Sequence, residues 1–258
     1  MIPIKTPAEI EQMRASCHAV YRIREELRDA LVPGVTTRDI DQLAAKLIQE
    51  AGGRSAFLNY RGFPGHICIS VNEEVVHGIG GSRRIQYGDV VKIDVGIILN
   101  GWVGDTALSI PVGEIDPDTA TLLEATQEAL ERGIDQARPG NRVRDIGRAV
   151  ESHVARHGFS VVREFVGHGV GRQLHEEPHV PNYAAPGRSP KLKPGMVLAI
   201  EPMVNMGRPE VRILADKWTV VTDDGKPSAH FEHTVLVTED EPEILTCLET
   251  IGSKSSAR

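Results

Sequence analysis

Apolar side chains recur at helical spacing from the start of the chain. Thr6-Pro7-Ala8-Glu9 reads as a helix start: a capping threonine, proline at the first helical position, and a glutamate three residues after the cap. Ile10, Met13, Cys17, Val20, Leu27 and Leu31 then share a face until Pro33-Gly34 stops it. A second helix is predicted from near Thr36, with Ile40, Leu43, Leu47 and Ile48 on one side and Gly52-Gly53 at its end. The pattern then changes to short β-rich runs: HICISV, DVVKIDVGIIL and WVGDTALSIPV. Asn100-Gly101 between the last two is the strongest hairpin signal in the chain. Asp116-Pro117 opens a third helix that ends near Pro139-Gly140, and a fourth is predicted over Val143 to Arg156. The runs FSVVREF, MVLAIEPMV, WTVVT and HFEHTVLVT read as further strands, and SKSSAR as a disordered tail.

Helix, helix, strands thus occurs twice. LVPGVTTRDI (31–40) lies over ARPGNRVRDI (137–146), with Pro-Gly and Arg-Asp-Ile in common, and Gly52 falls on Gly158. Two independent uses of Pro-Gly as a helix stop would give the same match, but the repeated element order favours internal duplication. The expected architecture is α/β (α+β), one domain over 1–250 with pseudo-repeats at about 6–112 and 116–245, followed by a disordered tail at 251–258. A site between the halves follows, where facing sheet surfaces make a cleft.

Composition narrows the class of protein. With 258 residues, 40% apolar and 25% charged, the chain is long enough for a sizeable core. A formal charge of -7 without a Lys/Arg run gives no nucleic-acid signal. No apolar stretch approaches the roughly 20 residues of a membrane span, and MIPIKTPAEIEQM lacks the pattern of a signal peptide. Three scattered cysteines form neither a disulfide framework nor a CxxC zinc motif, so a reducing cytoplasm is expected.

Among 36 acidic residues and 10 histidines, the informative ones are those inside apolar strands, where an unpaired charge is costly. Asp94 sits in VVKIDVGII and Asp105 in WVGDTALSI. In a two-residue Asn100-Gly101 hairpin, position 94 opposes 107 and Asp105 is its diagonal neighbour. Both carboxylates then share one face, about 7 Å apart at Cβ. Such a pair needs a cation, or one member must stay protonated. Glu201 ends MVLAIE, Glu232 lies within HFEHTVLV, and His168 is set among the glycines of FVGHGVG. Two Asp, two Glu and one His suit Mn²⁺, Fe²⁺, Co²⁺ or Zn²⁺. Four carboxylates nearly neutralise two divalent ions, which favours a dinuclear centre that activates a water nucleophile.

The segment Phe165-Val-Gly-His-Gly-Val-Gly, followed by His175, Val180, Asn182 and Tyr183, resembles the signature of type I methionine aminopeptidases. KIDVG, GDTA, GHGVG, HEEP, IEPM and FEHT appear in that family's order, and the resemblance runs from the first helix to Glu241. It implies the duplicated pita-bread fold around a central antiparallel sheet. It further implies two divalent metal ions (Co, Mn, Fe(II) or Zn) held by Asp94, Asp105, His168, Glu201 and Glu232, with Asp105 and Glu232 bridging. Glu201 would shuttle the proton, and His77 and His175 would contact the scissile peptide. Phe57, Tyr60, Phe63, Cys68 and Trp218 match segments lining the methionine pocket. Cys68 could also be read as a nucleophile, but it lies in an apolar strand with no adjacent base. The implied reaction removes the initiator methionine from nascent polypeptides when the second residue is small. A cytoplasmic monomer of the bacterial type is expected, with ribosome association an added expectation.

Two positions depart from the family pattern. Leu174 stands where relatives often have an aromatic. His230 stands where they usually have Gln; strand alternation places it on the face of Glu232, next to the metal site. Competing readings are a same-fold Xaa-Pro aminopeptidase or prolidase, a type II enzyme, and an inactive peptide- or ribosome-binding homologue. The first would usually carry an extra N-terminal domain, for which a helix starting at residue 6 leaves no room. The second has a sizeable insertion where only thirty residues separate Glu201 from Glu232. The third typically loses ligands. Gly78-Ile-Gly80-Gly81 lacks the strand and helix that a phosphate loop requires.

Overall fold

The four helices begin where their caps direct. In helix α1 (Pro7–Ala30), the Glu9 amide donates to Thr6 Oγ1 while Glu9 Oε2 accepts from the Thr6 amide. The same reciprocal pair joins Thr36 and Asp39 at α2 (Thr37–Glu50). Asp116 caps α3 (Pro117–Ile134) through the Thr119 amide, at 2.9 Å. At α4 (Val143–Arg156) the Asp145 carboxylate takes the Arg142 amide, at 2.8 Å. The computed structural model describes residues 2–248, so the predicted tail lies outside the described residues.

The two helix pairs serve different sheets. Helices α1 and α2 bury Val20, Leu27, Ile40 and Ile48 against the hairpin of Val90–Leu99 and Trp102–Pro111. Asn100 and Gly101 both take positive φ (52° and 79°), the geometry of a two-residue hairpin turn. Cys68–Val71 and the short Arg54–Ser55 strand pair with the outer edge of Val90–Leu99. Helices α3 and α4 pack Leu122, Leu130, Ile146 and Val150 against a sheet from the second half. That sheet runs 243–244, 233–236, 197–200, 167–169 and 176–180, antiparallel throughout.

The two sheets meet along one seam. Ala107 and Glu232 form an antiparallel bridge, with the Glu232 amide donating to the Ala107 carbonyl at 3.0 Å. Hydroxyls reinforce it: Thr106 Oγ1 donates to the Glu232 carbonyl (2.9 Å), Thr234 Oγ1 to the Asp105 carbonyl (2.8 Å), and Ser109 Oγ to the His230 carbonyl (2.7 Å). Lys92, fully buried, donates to the carbonyls of Asn72 and Ser228. The architecture is the duplicated arrangement expected: helix-helix-strands twice, around a central antiparallel surface.

Several predicted strands are shorter than their apolar runs. FSVVREF contributes only Ser160–Val161. MVLAIEPMV breaks into 197–200 and 203–205, because Pro202 has no amide to donate and the chain crosses there from one sheet to another. HFEHTVLVT breaks at the matching place: the strands are 228–230 and 233–236. Met203 pairs with His230 and Ile200 with His233, so Glu201-Pro202 faces Phe231-Glu232 across a shared break.

Candidate metal centre and cleft

The hairpin has the predicted register. Asp94 opposes Ala107 and Asp105 opposes Gly96, which places the two aspartates diagonally on one face. The seam then brings Glu232 to Ala107, two residues from Asp105, and the shared break presents Glu201 beside it. His168 arrives on the neighbouring strand, opposite Ala199. The flanking glycines are required by close approach: a Cβ on Gly167 would lie 2.3 Å from the Ala199 carbonyl, and one on Gly169 2.3 Å from that of Glu177.

Ligand atoms of Asp105, His168 and Glu232 lie within 4.8 Å of one another. His168 Nδ1 donates to the Gly169 carbonyl at 2.9 Å, which leaves the lone pair on Nε2. That Nε2 faces Glu201 Oε1 at 3.4 Å and Asp105 Oδ2 at 3.8 Å. Asp94 Oδ1, Asp105 Oδ1 and Glu232 Oε1 are buried and accept no hydrogen bond from the protein. Burial pushes the carboxyls of Asp94 and Glu201 up to about 7. Burial and the neighbouring carboxylates hold Asp105 and Glu232 well above the usual carboxylate range. Such crowding of unsatisfied oxygens around a neutral imidazole lone pair is what a divalent cation resolves, so the residues fit a metal centre.

A cleft of about 250 Å³ opens onto this cluster. Phe57, Tyr60, Phe63, Cys68, Leu174 and Trp218 form much of its wall, with Phe63 edge-on to Trp218 at 5.2 Å between centroids. Cys68 is the cross-strand partner of Asp94, and burial raises its thiol well above the ordinary range, so it contributes bulk and not a nucleophile. His77 and His175 both line the cleft. His77 packs edge-on against Phe165 (5.3 Å), and burial, helped by His230, pushes its imidazole down to about 4. His175 lies 4.2 Å from the His168 ring and shares a 2.8 Å hydrogen bond with the Tyr60 hydroxyl. Loss of water on its cleft side, and then the Arg61 guanidinium, push it down to about 4. Both rings are therefore neutral near pH 7 and able to donate or accept a hydrogen bond.

His230 is buried behind Glu201, its Nε2 3.7 Å from Glu201 Oε2 and without a hydrogen bond. Sequence reasoning did not single out Val76, Phe165 or Met203 as cleft residues, yet all three line it. For Met203 a signal existed, two residues beyond Glu201. Val76 lies in a three-residue strand too short to show alternation.

Metallopeptidase family M24 matches residues 11–239. The fold and the carboxylate–imidazole cluster are those of a metallopeptidase of that class. "Methionine aminopeptidase 1" of Bacillus subtilis is 52% identical over 246 residues, covering 95% of this chain and 99% of its own. The crystal structure of methionine aminopeptidase from Rickettsia prowazekii matches with a TM-score of 0.94 at 40% identity, over 96% of this chain and 100% of that one. A prolidase from Pyrococcus furiosus matches less well, with a TM-score of 0.78 at 25% identity, and this chain spans 66% of it. The chain belongs to metallopeptidase family M24 and, within it, to the methionine aminopeptidases.

Proposed function

We propose that the protein removes the first methionine from new polypeptide chains whose second residue is small, using two divalent ions of Mn, Fe(II), Co or Zn. Asp94, Asp105, His168, Glu201 and Glu232 would hold the ions in this reading. When bound, the metals supply Lewis acidity and an activated water. Glu201 would accept a proton from the nucleophilic water at its carboxylate and return it to the leaving amine. His77 and His175, neutral and on the cleft wall, donate to the scissile carbonyl and align the substrate backbone. The methionine side chain packs among Phe57, Tyr60, Phe63, Cys68 and Trp218. A single catalytic domain with repeats at about 6–112 and 116–245, acting as a cytoplasmic monomer near the ribosome, completes the proposal. Among the described residues no helix is long and apolar enough to cross a membrane.

The observation that carries the proposal is the unsatisfied carboxylate cluster lining a cleft that also offers an apolar wall of Phe57, Phe63, Cys68, Leu174 and Trp218. A polar reacting group and an unbranched apolar side chain are then accommodated side by side. The test is methionine release by metal-stripped protein, before and after Mn²⁺ addition, from Met-Ala-Ser, Met-Lys-Ser and Ala-Pro-Ala. Metal-dependent release from Met-Ala-Ser alone is expected. Cleavage of Ala-Pro-Ala alone would move the activity to the Xaa-Pro branch. No cleavage of any peptide by metal-loaded protein would make it a binding homologue.

A further inference from the structure

Arg61 lines the same cleft but belongs to none of the groups above. Its backbone is left-handed (φ 52, ψ 21), an uncommon state for a long side chain, and Asn59 nearby is left-handed as well. Such conformations carry a steric cost and persist where the surroundings impose them. Here the loop is closed by the Asn59 amide on the Phe63 carbonyl (2.8 Å), the Tyr60 amide on Phe57 (2.8 Å) and the Phe63 amide on Tyr60 (3.0 Å). The guanidinium so presented forms no ion pair or hydrogen bond among the described residues. Its side-chain partner is the Tyr60 ring, 5.3 Å from Cζ.

A ladder of rings fixes where this charge stands relative to the chemistry. His168 is buried at the metal cluster, and His175 lies against it. Tyr60 stacks on His175 with centroids 5.3 Å apart, and Arg61 sits over Tyr60. His168 is buried, His175 exposed, Tyr60 half-buried and Arg61 exposed, so beyond His168 the ladder lies along the open side of the cleft. A substrate with its amino terminus and first side chain at the deep end must leave along this open side. Extended peptide advances about 3.3 Å per residue, so two steps of about 5 Å beyond His175 reach the third or fourth substrate residue.

Resting on the function proposed above, we infer that Arg61 is a specificity-determining residue that reads the charge of the substrate's third or fourth residue and favours acidic side chains there. A carboxylate at that position gains a cation with no other charged partner, while a lysine meets repulsion. The effect falls on substrate capture, hence on KM more than kcat, and is screened by salt.

The test compares kcat/KM for Met-Ala-Asp-Ala and Met-Ala-Ala-Asp with their lysine counterparts, using the metal-loaded full-length protein and Met-Ala-Ser as reference. At low ionic strength the acidic peptides should be favoured about three- to tenfold, as expected for an exposed charge pair against a repelled one. The preference should shrink toward one in about 0.5 M NaCl. Arg61→Gln should bring the ratio close to one, Arg61→Glu should invert it, and Arg61→Lys should keep it above one, which a merely structural role for the loop would not produce. Turnover of Met-Ala-Ser with an acidic-to-lysine ratio equal in wild type and Arg61→Gln would overturn the role of Arg61 alone. Failure of the wild type to release methionine from any of these peptides would overturn the underlying function as well.

Discussion

Each of the five proposed ligands costs free energy where it stands unless something answers its charge, and that is also why they were visible. Acids inside apolar strands are rare enough to be informative, and Asp94, Asp105, Glu201 and Glu232 were all found that way. Residues that line the cleft as hydrophobes are harder: an apolar side chain in a core and one on a pocket wall look alike in sequence, so nothing marks Val76, Phe165 and Met203 as cleft wall. His230 lies between these cases. It is buried with its Nε2 3.7 Å from Glu201 Oε2, and we propose that it adjusts how that carboxylate is held. His230→Gln is expected to change metal affinity threefold or more and to displace the pH profile of turnover. Titration calorimetry with Mn²⁺ and rate–pH curves measure both, and unchanged values in both would remove His230 from the site.

At the level of elements, capped helices and the hairpin were readable because their signals are local: a cap, a stop, an Asn-Gly turn. What the sequence hid is pairing between distant segments. Nothing near Ala107 announces that it meets Glu232, and several short strands, such as Val211–Ile213, have no room for a periodic pattern. The seam is held by buried hydroxyls whose loss has a defined cost. Ser109 Oγ donates to the His230 carbonyl and accepts from the His230 amide, at 2.7 and 2.8 Å. Ser109→Ala leaves both backbone groups unsatisfied and should lower the unfolding free energy by about 2 kcal/mol, read from urea denaturation of the metal-free protein. Stability equal to wild type would mean that the seam draws its strength from packing and not from this pair of bonds.

For the whole molecule, the metal cluster joins stability to pH. The carboxyls of Asp94 and Glu201 sit near 7, with Asp105 and Glu232 held high as well. In chelated protein the folded state therefore binds more protons than the unfolded chain above about pH 4. The stability these four carboxyls contribute is fully present below about pH 4 and is lost as pH rises through 7. Metal ions replace those protons, so the stabilisation they give should be larger at pH 8 than at pH 6. At a hundredfold excess over Kd the gain is about 2.7 kcal/mol, or roughly 5–10 °C in Tm. Differential scanning calorimetry with and without Mn²⁺ tests this, and Asp105→Ala should lose most of the shift. An equal shift in Asp105→Ala would place the metal elsewhere.

The seam between the halves also has a consequence for the protein's own synthesis. Asp94 and Asp105 come from the first half, while His168, Glu201 and Glu232 come from the second. Glu232 is positioned by its bridge to Ala107, the Thr106 hydroxyl on its carbonyl and the strand that follows. On the ligand assignment proposed above, a ribosome that has made the first two hundred residues has supplied Asp94, Asp105 and His168 but neither glutamate, and the site can close only after residue 232 has been made.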